Sequence, residues 1–159
     1  MRAARWPAAL AAALAACGGK EPPPPGHYAL SGTVTYDSVP ASAAGLDYAH
    51  TVQRPVRGAV VEVVAGTALA STTTGDTGAY SVAWTGTPLV SLRVKAQTLT
   101  PPMRVQDAGA ALYALDSGPL DAAATATLSL NAGSGWTGSA YGAPRSAGPF
   151  AILDAMYSA

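Results

Sequence analysis

Few side chains in this 159-residue sequence have the type and spacing needed for chemistry. The segment Ala132–Trp136 reads AGSGW, and it places alanine where the G-x-S-x-G elbow of serine hydrolases needs glycine. Neither His27 nor His50 stands in a motif that would hold it beside a nucleophile. Asp76, in the turn-like segment TGDTG, supplies one carboxylate, whereas calcium takes about six to eight oxygen ligands. We therefore predict no catalytic, cofactor-binding or metal-binding residue, and a chain that is not an enzyme.

The single cysteine, Cys17, ends a recognisable N-terminal pattern. Residues 1–5 include two arginines, and residues 6–16 are uncharged and mostly apolar. Eleven helical residues span only about 16 Å, about half of a bilayer core, which is typical of a signal peptide rather than a membrane-spanning helix. The sequence LAAC at residues 14–17 resembles the lipobox of bacterial lipoproteins. The resemblance implies a signal peptide at residues 1–16, disordered or helical, and lipidation of Cys17 by a diacylglycerol and fatty acids such as palmitate.

Residues 17–26 predict a tether between the lipid and the folded part. Four consecutive prolines, Pro22–Pro25, favour a stiff polyproline II segment, and glycines at both ends permit reorientation. Gly18 follows the cysteine, where enteric lipoproteins that stay in the inner membrane carry aspartate. The lipoprotein resemblance therefore implies the outer membrane of a bacterial cell envelope, at its periplasmic face or at the cell surface.

Residues 27–100 show the period-two hydrophobic alternation of β-strands. Tyr28, Leu30, Val34 and Tyr36 share one face of the first strand, and Trp84 is expected to fill the core. The predicted strands are residues 28–37, 58–66, 67–74, 79–84 and 89–96, with a turn at 75–78 and a long loop at 38–54. Short strands separated by turn residues predict an all-β fold, an antiparallel β-sandwich.

Several of these segments resemble the carboxypeptidase regulatory-like domain. They are Gly32–Val34, Pro55–Val63, Thr72–Val82 and Val90–Ala96, and the hairpin TTTGDTGAYS is the most specific of them. The resemblance covers roughly residues 30–96 and implies a prealbumin-like (transthyretin-like, Ig-like) β-sandwich. The loop at 38–54 is longer than in that family, and the usual last strand is replaced by TPLVSLRVKA.

The second half of the chain predicts further elements packed on this sandwich. Residues 101–148 include candidate strands at 103–107, 111–115 and 124–132, and a glycine-rich loop at 133–148. Trp136 and Tyr141 in that loop either stack on a sugar or pack under the loop. Residues 149–159 predict a short C-terminal helix with Pro149 at its first position and with Phe150 and Leu153 at helical spacing, reaching Ala159 without a cap.

The composition narrows the functional classes. The formal net charge is zero, and the basic patch that nucleic-acid binding requires is missing from the sequence. One remaining function is a monomeric, membrane-anchored, surface-exposed module for binding, adhesion or accessory roles, with an extracellular protein or glycan as its ligand. The alternative is the N-terminal module of a longer secreted enzyme. Residues 30–159 resemble the start of longer bacterial lipoproteins in which a zinc-peptidase-like region follows.

Overall fold

The computed structural model describes residues 25–159, so the predicted signal peptide, Cys17 and most of the tether lie outside the described residues. The described chain is mostly β-strand with one C-terminal helix, and the predicted all-β sandwich is confirmed. The elements are β1 (Gly26–Ser38), β2 (Ala41–Ser42), β3 (Gly45–Leu46), a 3-10 helix (Tyr48–His50), β4 (Val52–Pro55), β5 (Ala59–Ala65), β6 (Thr67–Thr73), β7 (Ala79–Gly86), β8 (Leu89–Leu99), β9 (Pro102–Arg104), β10 (Ala114–Asp121), β11 (Leu130–Ala132) and α1 (Ala147–Tyr157).

The first sheet is built around β1. Its N-terminal part pairs antiparallel with β7, its C-terminal part pairs antiparallel with β4, and β11 pairs with it in parallel. Thirteen extended residues span about 40 Å. We call the end at Gly26, which pairs with Gly86, the tether end, and the end at Ser38, which pairs with Val52, the far end.

The second sheet has the strand order β10-β8-β5-β6, with all pairs antiparallel, and β9 pairs with the last residues of β8. A short turn links β7 to β8, so β8 begins at the tether end and runs to the far end. The alternation predicted for this strand is confirmed: Val90, Leu92, Val94 and Ala96 are buried.

The core lies between the two sheets because each strand presents one apolar face inward. Leu30, Val34 and Tyr36 of β1 are buried, as predicted, whereas Tyr28 near the tether end is only half-buried. Trp84 on β7 is also buried, as predicted, with 6% of its surface exposed.

Helix α1 closes the far end of the sandwich. Phe150 and Leu153 are fully buried, and the helix packs against β1, β8 and β9. It begins at Ala147 rather than at the predicted Pro149. Pro149 is tolerated within the first turn because the N–H groups of that turn have no intrahelical acceptor. It ends at Tyr157 rather than at Ala159. The hydroxyl of the next residue, Ser158, donates a hydrogen bond to the carbonyl of Asp154 at 2.7 Å.

The prediction of a long loop at residues 38–54 was wrong at its C-terminal end. Residues 52–55 form β4, which pairs with the far end of β1. The sequence VQRP shows no alternation, and all but its proline are exposed, so the pairing is set by β1 and not by a buried face. The rest of the segment holds the β2–β3 hairpin and the 3-10 helix.

The strands predicted after residue 100 were displaced. The structure has strands at residues 102–104, 114–121 and 130–132 instead of 103–107, 111–115 and 124–132. β10 passes through Gly118 and Pro119, which in a sequence indicate a turn. An irregularity between Asp116 and Pro119 accommodates them, and β10 pairs only with β8 there, where an edge strand tolerates proline.

Gly32 allows the chain to pack closely on β1. A Cβ atom at this position would collide with the backbone carbonyl of Leu128. The Ser31 N–H donates to the carbonyl of Ala126 at 3.1 Å, and the Leu128 N–H donates to that of Ser31 at 2.8 Å. Glycine in the middle of β1 therefore lets the segment before β11 lie directly against it.

Candidate functional site

The two histidines lie apart from any nucleophile. His27 is exposed at the tether end, where its Nδ1 lies 3.1 Å from the Thr85 hydroxyl. His50 is exposed in the 3-10 helix, and its Nδ1 lies 2.7 Å from a carboxylate oxygen of Asp47. Both side chains make local surface contacts.

Ser134 has a backbone partner, and Asp76 borders a cavity together with two arginines. The Ser134 hydroxyl accepts a 3.4 Å hydrogen bond from the backbone N–H of Trp136, and it bonds to no histidine within the described residues. Asp76 lies in the turn before β7 and borders a cavity of about 330 Å³ with Arg54 and Arg57. Across residues 25–159, no three His, Cys, Asp or Glu side chains gather closely enough to hold a metal ion.

An aromatic cluster assembles at the far end. Tyr48 stacks on Trp136 with ring centroids 4.5 Å apart, and Tyr141 meets both rings edge-on at 5.9 Å and 5.3 Å. The Tyr48 and Tyr141 hydroxyls are hydrogen-bonded to each other. The Arg145 guanidinium lies 4.2 Å from the centroid of the Tyr141 ring. The loop aromatics Trp136 and Tyr141 contact each other and Tyr48, and Tyr141 is 44% exposed.

A cavity of about 430 Å³ opens beside this cluster, which is within the range of about 300–1,000 Å³ typical of small-molecule sites. We call it the far-end cavity. Its walls come from the end of β1, the loop before the 3-10 helix, the glycine-rich loop and the first turns of α1. The lining residues are Asp37, Val39, Leu46, Tyr48, Ser134, Arg145, Ala147, Gly148 and Ala151.

Two opposite charges line the far-end cavity without forming an ion pair. Asp37 accepts hydrogen bonds from the Asn131 side-chain amide at 2.9 Å and from the Ser134 backbone N–H at 2.8 Å. Arg145 is exposed and stacks on Tyr141. The ion pairs formed within residues 25–159 include neither Asp37 nor Arg145. The cavity therefore combines an anionic side, a cationic side and apolar walls.

A buried polar network fixes the helix beside this cavity. The Tyr36 hydroxyl donates to the Asp154 carboxylate at 2.8 Å, and Arg57 Nε donates to its other oxygen at 2.6 Å. Asp154 is buried and therefore requires these partners. The network joins β1 to α1, which hold opposite walls of the far-end cavity.

The buried tyrosines predict a loss of stability at alkaline pH. Burial, followed by the hydrogen bond to Asp154, raises the pKa of Tyr36 to about 12, and burial raises the pKa of Tyr80 to about 12. The folded state holds these protons more tightly than the unfolded chain, whose tyrosine pKa is about 10. The stabilisation is complete below pH about 10 and is lost as the pH rises towards 12. Chemical denaturation across this range should show the decline, and Tyr80→Phe should flatten it.

Tyr113→Phe is the matched control for this titration because Tyr113 is exposed. It should leave the alkaline decline unchanged. A wild-type stability that stays constant from pH 10 to 12 would contradict the prediction.

Sequence reasoning missed most of this site. Tyr48 and Tyr141 are 93 residues apart, and Tyr36 and Asp154 are 118 apart, so spacing carried no signal for their contacts. Trp136 and Tyr141 were singled out, whereas Asp37 fell only within the predicted first strand and Arg145 only within the glycine-rich loop. Cys17, the one predicted site residue, lies outside the described residues.

Fold and site together define an all-β sandwich protein with a small, charged cavity at one end. The sequence matches no protein-family model and no curated protein. Among solved structures, a 9R-lipoxygenase from Cyanothece PCC8801 is similar over 74% of this chain, with 12% identity and a TM-score of 0.33. The chain spans 18% of that lipoxygenase, and a likeness this loose carries no argument about function. None of the helices in the described part is long and apolar enough to cross a membrane.

Proposed function

We propose that this protein is a lipoprotein of the bacterial cell envelope whose β-sandwich is a non-catalytic, monomeric binding module. The observation that carries the proposal is the position of the far-end cavity. It lies at the opposite end of β1 from Gly26, where the chain enters the sandwich from the predicted tether.

The dimensions of the chain support this arrangement. Nine residues from Cys17 to Pro25 reach about 28 Å if they are extended as polyproline II. β1 adds about 40 Å between the tether end and the far end. A lipid on Cys17 would place the tether end towards the membrane and present the far-end cavity to the solvent.

The distribution of exposed apolar side chains also favours binding at the far end. Leu46, Val52, Leu99 and Tyr141 are exposed there, at the ends of strands or in the loops that join them. Leu69 and Leu89 are exposed towards the tether end. Exposed apolar side chains near a cavity are characteristic of ligand or partner sites.

Replacing Cys17 with serine should abolish acylation, because a hydroxyl group does not substitute for the thiol that receives the diacylglycerol. Cells labelled with radioactive palmitate should yield a labelled wild-type band and an unlabelled, uncleaved precursor for Cys17→Ser. Membrane fractionation should find the wild type in the outer membrane. Gly19→Ser, which lies outside the LAAC sequence, is the matched control and should retain the label. Label on the Cys17→Ser protein would refute the anchor.

The second candidate, an N-terminal module of a longer secreted enzyme, is favoured by one surface. Ile152 and Met156 are exposed on α1, 53% and 37% respectively, and a following domain could cover them. Reading the gene beyond the codon for Ala159 tests this candidate. A continuing frame that encodes an H-E-x-x-H helix supports it, and a stop codon removes it.

A further inference from the structure

We propose that the far-end cavity binds a dipeptide with apolar side chains, and that it recognises both charged termini. This inference rests on the proposed binding function and names its ligand class. The observation behind it is the juxtaposition of Asp37, Arg145 and apolar walls in one cavity.

Arg145 supplies a cation that is held in place but still able to donate hydrogen bonds. Its guanidinium lies over the face of Tyr141 at 4.2 Å, and that ring is fixed by Tyr48 and Trp136. Stacking uses the face of the guanidinium and leaves its in-plane N–H donors available. No carboxylate of residues 25–159 lies within ion-pair distance of it. A ligand carboxylate fits this planar fork.

Asp37 supplies the opposite charge. Its two oxygens each accept one hydrogen bond from a neutral donor, the Asn131 amide and the Ser134 N–H. These bonds orient the carboxylate but do not neutralise it. A carboxylate has about four acceptor sites, so acceptor capacity remains for a ligand ammonium group.

The rest of the cavity wall favours a ligand with an apolar group between its two charged ends. Val39, Leu46 and Ala151 line the cavity, and Leu46 is 54% exposed. Burying a leucine-sized side chain against such a wall is favourable because it removes apolar surface from water. The cavity volume of about 430 Å³ suits a ligand of this class.

Other ligand chemistries fit less well. A monocarboxylate without an ammonium group would satisfy Arg145 and face the uncompensated charge of Asp37. A neutral sugar would leave both charges without a partner. Only a zwitterion matches both sides of the cavity, and capping either terminus of the zwitterion removes one of the two matches.

Isothermal titration calorimetry tests the proposal on the full chain, purified from membranes in detergent. The probes are L-leucyl-L-leucine, its N-acetyl derivative and its C-terminal amide. We expect the free dipeptide to bind and each capped form to bind about tenfold more weakly or worse, since a hydrogen bond to a charged group contributes about 1.5–3 kcal/mol.

Two variants test which terminus of the ligand each charged side chain binds. Arg145→Gln should lower the affinity for the free dipeptide about tenfold and remove the difference in affinity between the free dipeptide and its amide. Asp37→Asn should likewise remove the discrimination against the N-acetyl form. Arg104→Gln, an exposed arginine away from the cavity, is the matched control and should leave the affinity unchanged. Arg145 is exposed, so its variant tests the ligand even if Asp37→Asn proves unstable in a thermal melt.

Equal affinity for the free and capped dipeptides would overturn the inference, and so would the absence of dipeptide binding at millimolar concentration. Tighter binding of the N-acetyl form would overturn it in favour of a simple carboxylate. Palmitate labelling at Cys17 is independent of all these results, so the ligand class can fail while the anchored module stands, and the reverse also holds.

Discussion

Replacing Trp84 with alanine should lower the free energy of unfolding by about 3–5 kcal/mol, the cost of truncating a large aromatic side chain in a core. Trp84 is 6% exposed, lies 5.8 Å from the ring of Tyr28, and donates its indole N–H to the Thr87 carbonyl at 3.0 Å. The variant would leave a cavity between the sheets at the tether end. Chemical denaturation followed by circular dichroism measures the loss.

Trp84→Phe is the graded control for Trp84→Ala. It keeps one aromatic ring in the core but loses the second ring and the indole N–H, so its loss should lie below that of Trp84→Ala. A loss below about 1 kcal/mol for Trp84→Ala would mean that the side chain faces solvent. The register of β7 would then be wrong by one residue, since a one-residue shift exchanges the two faces of a strand.

Replacing Asp154 with alanine should cost about 3–5 kcal/mol, because removing one partner of a buried ion pair leaves the other group uncompensated. The Tyr36 hydroxyl would lose its buried acceptor, and Arg57, which is partly exposed, would recover some solvation. The loss should therefore lie near the lower end of that range. Helix α1 would lose its polar link to β1, while Phe150 and Leu153 would still pack it on the core.

Asp116→Ala is the matched control for Asp154→Ala. Asp116 also pairs with an arginine, Arg93, through two hydrogen bonds of 2.8 Å and 3.0 Å. Both partners are more than 40% exposed, and exposed pairs contribute at most about 1 kcal/mol. Asp154→Asn should fall between the two, because the amide oxygen can still accept from Tyr36 while the charge facing Arg57 is lost. Equal losses for Asp154→Ala and Asp116→Ala would contradict the buried network.

The first half of the fold could be predicted from the sequence because its signals are local. The alternation in β1, β7 and β8 indicated both the strands and their buried faces, since neighbouring side chains on a strand point to opposite sides. Phe150 and Leu153 indicated the helix in the same way, because residues three apart lie on the same face of a helix with a period of about 3.6. The lipobox-like LAAC around Cys17 is also local, and its interpretation stays a prediction.

Only the tertiary structure decided the rest, because there the local signal was weak or misleading. β4 has no hydrophobic alternation and exists because β1 offers it a partner. β10 contains Gly118 and Pro119 and is a strand because it pairs with β8. The far-end cavity joins Asp37 to Arg145, residues that no spacing rule connects. Such contacts depend on how distant strands and loops are brought together by the buried core, and that arrangement is a property of the whole fold rather than of any segment.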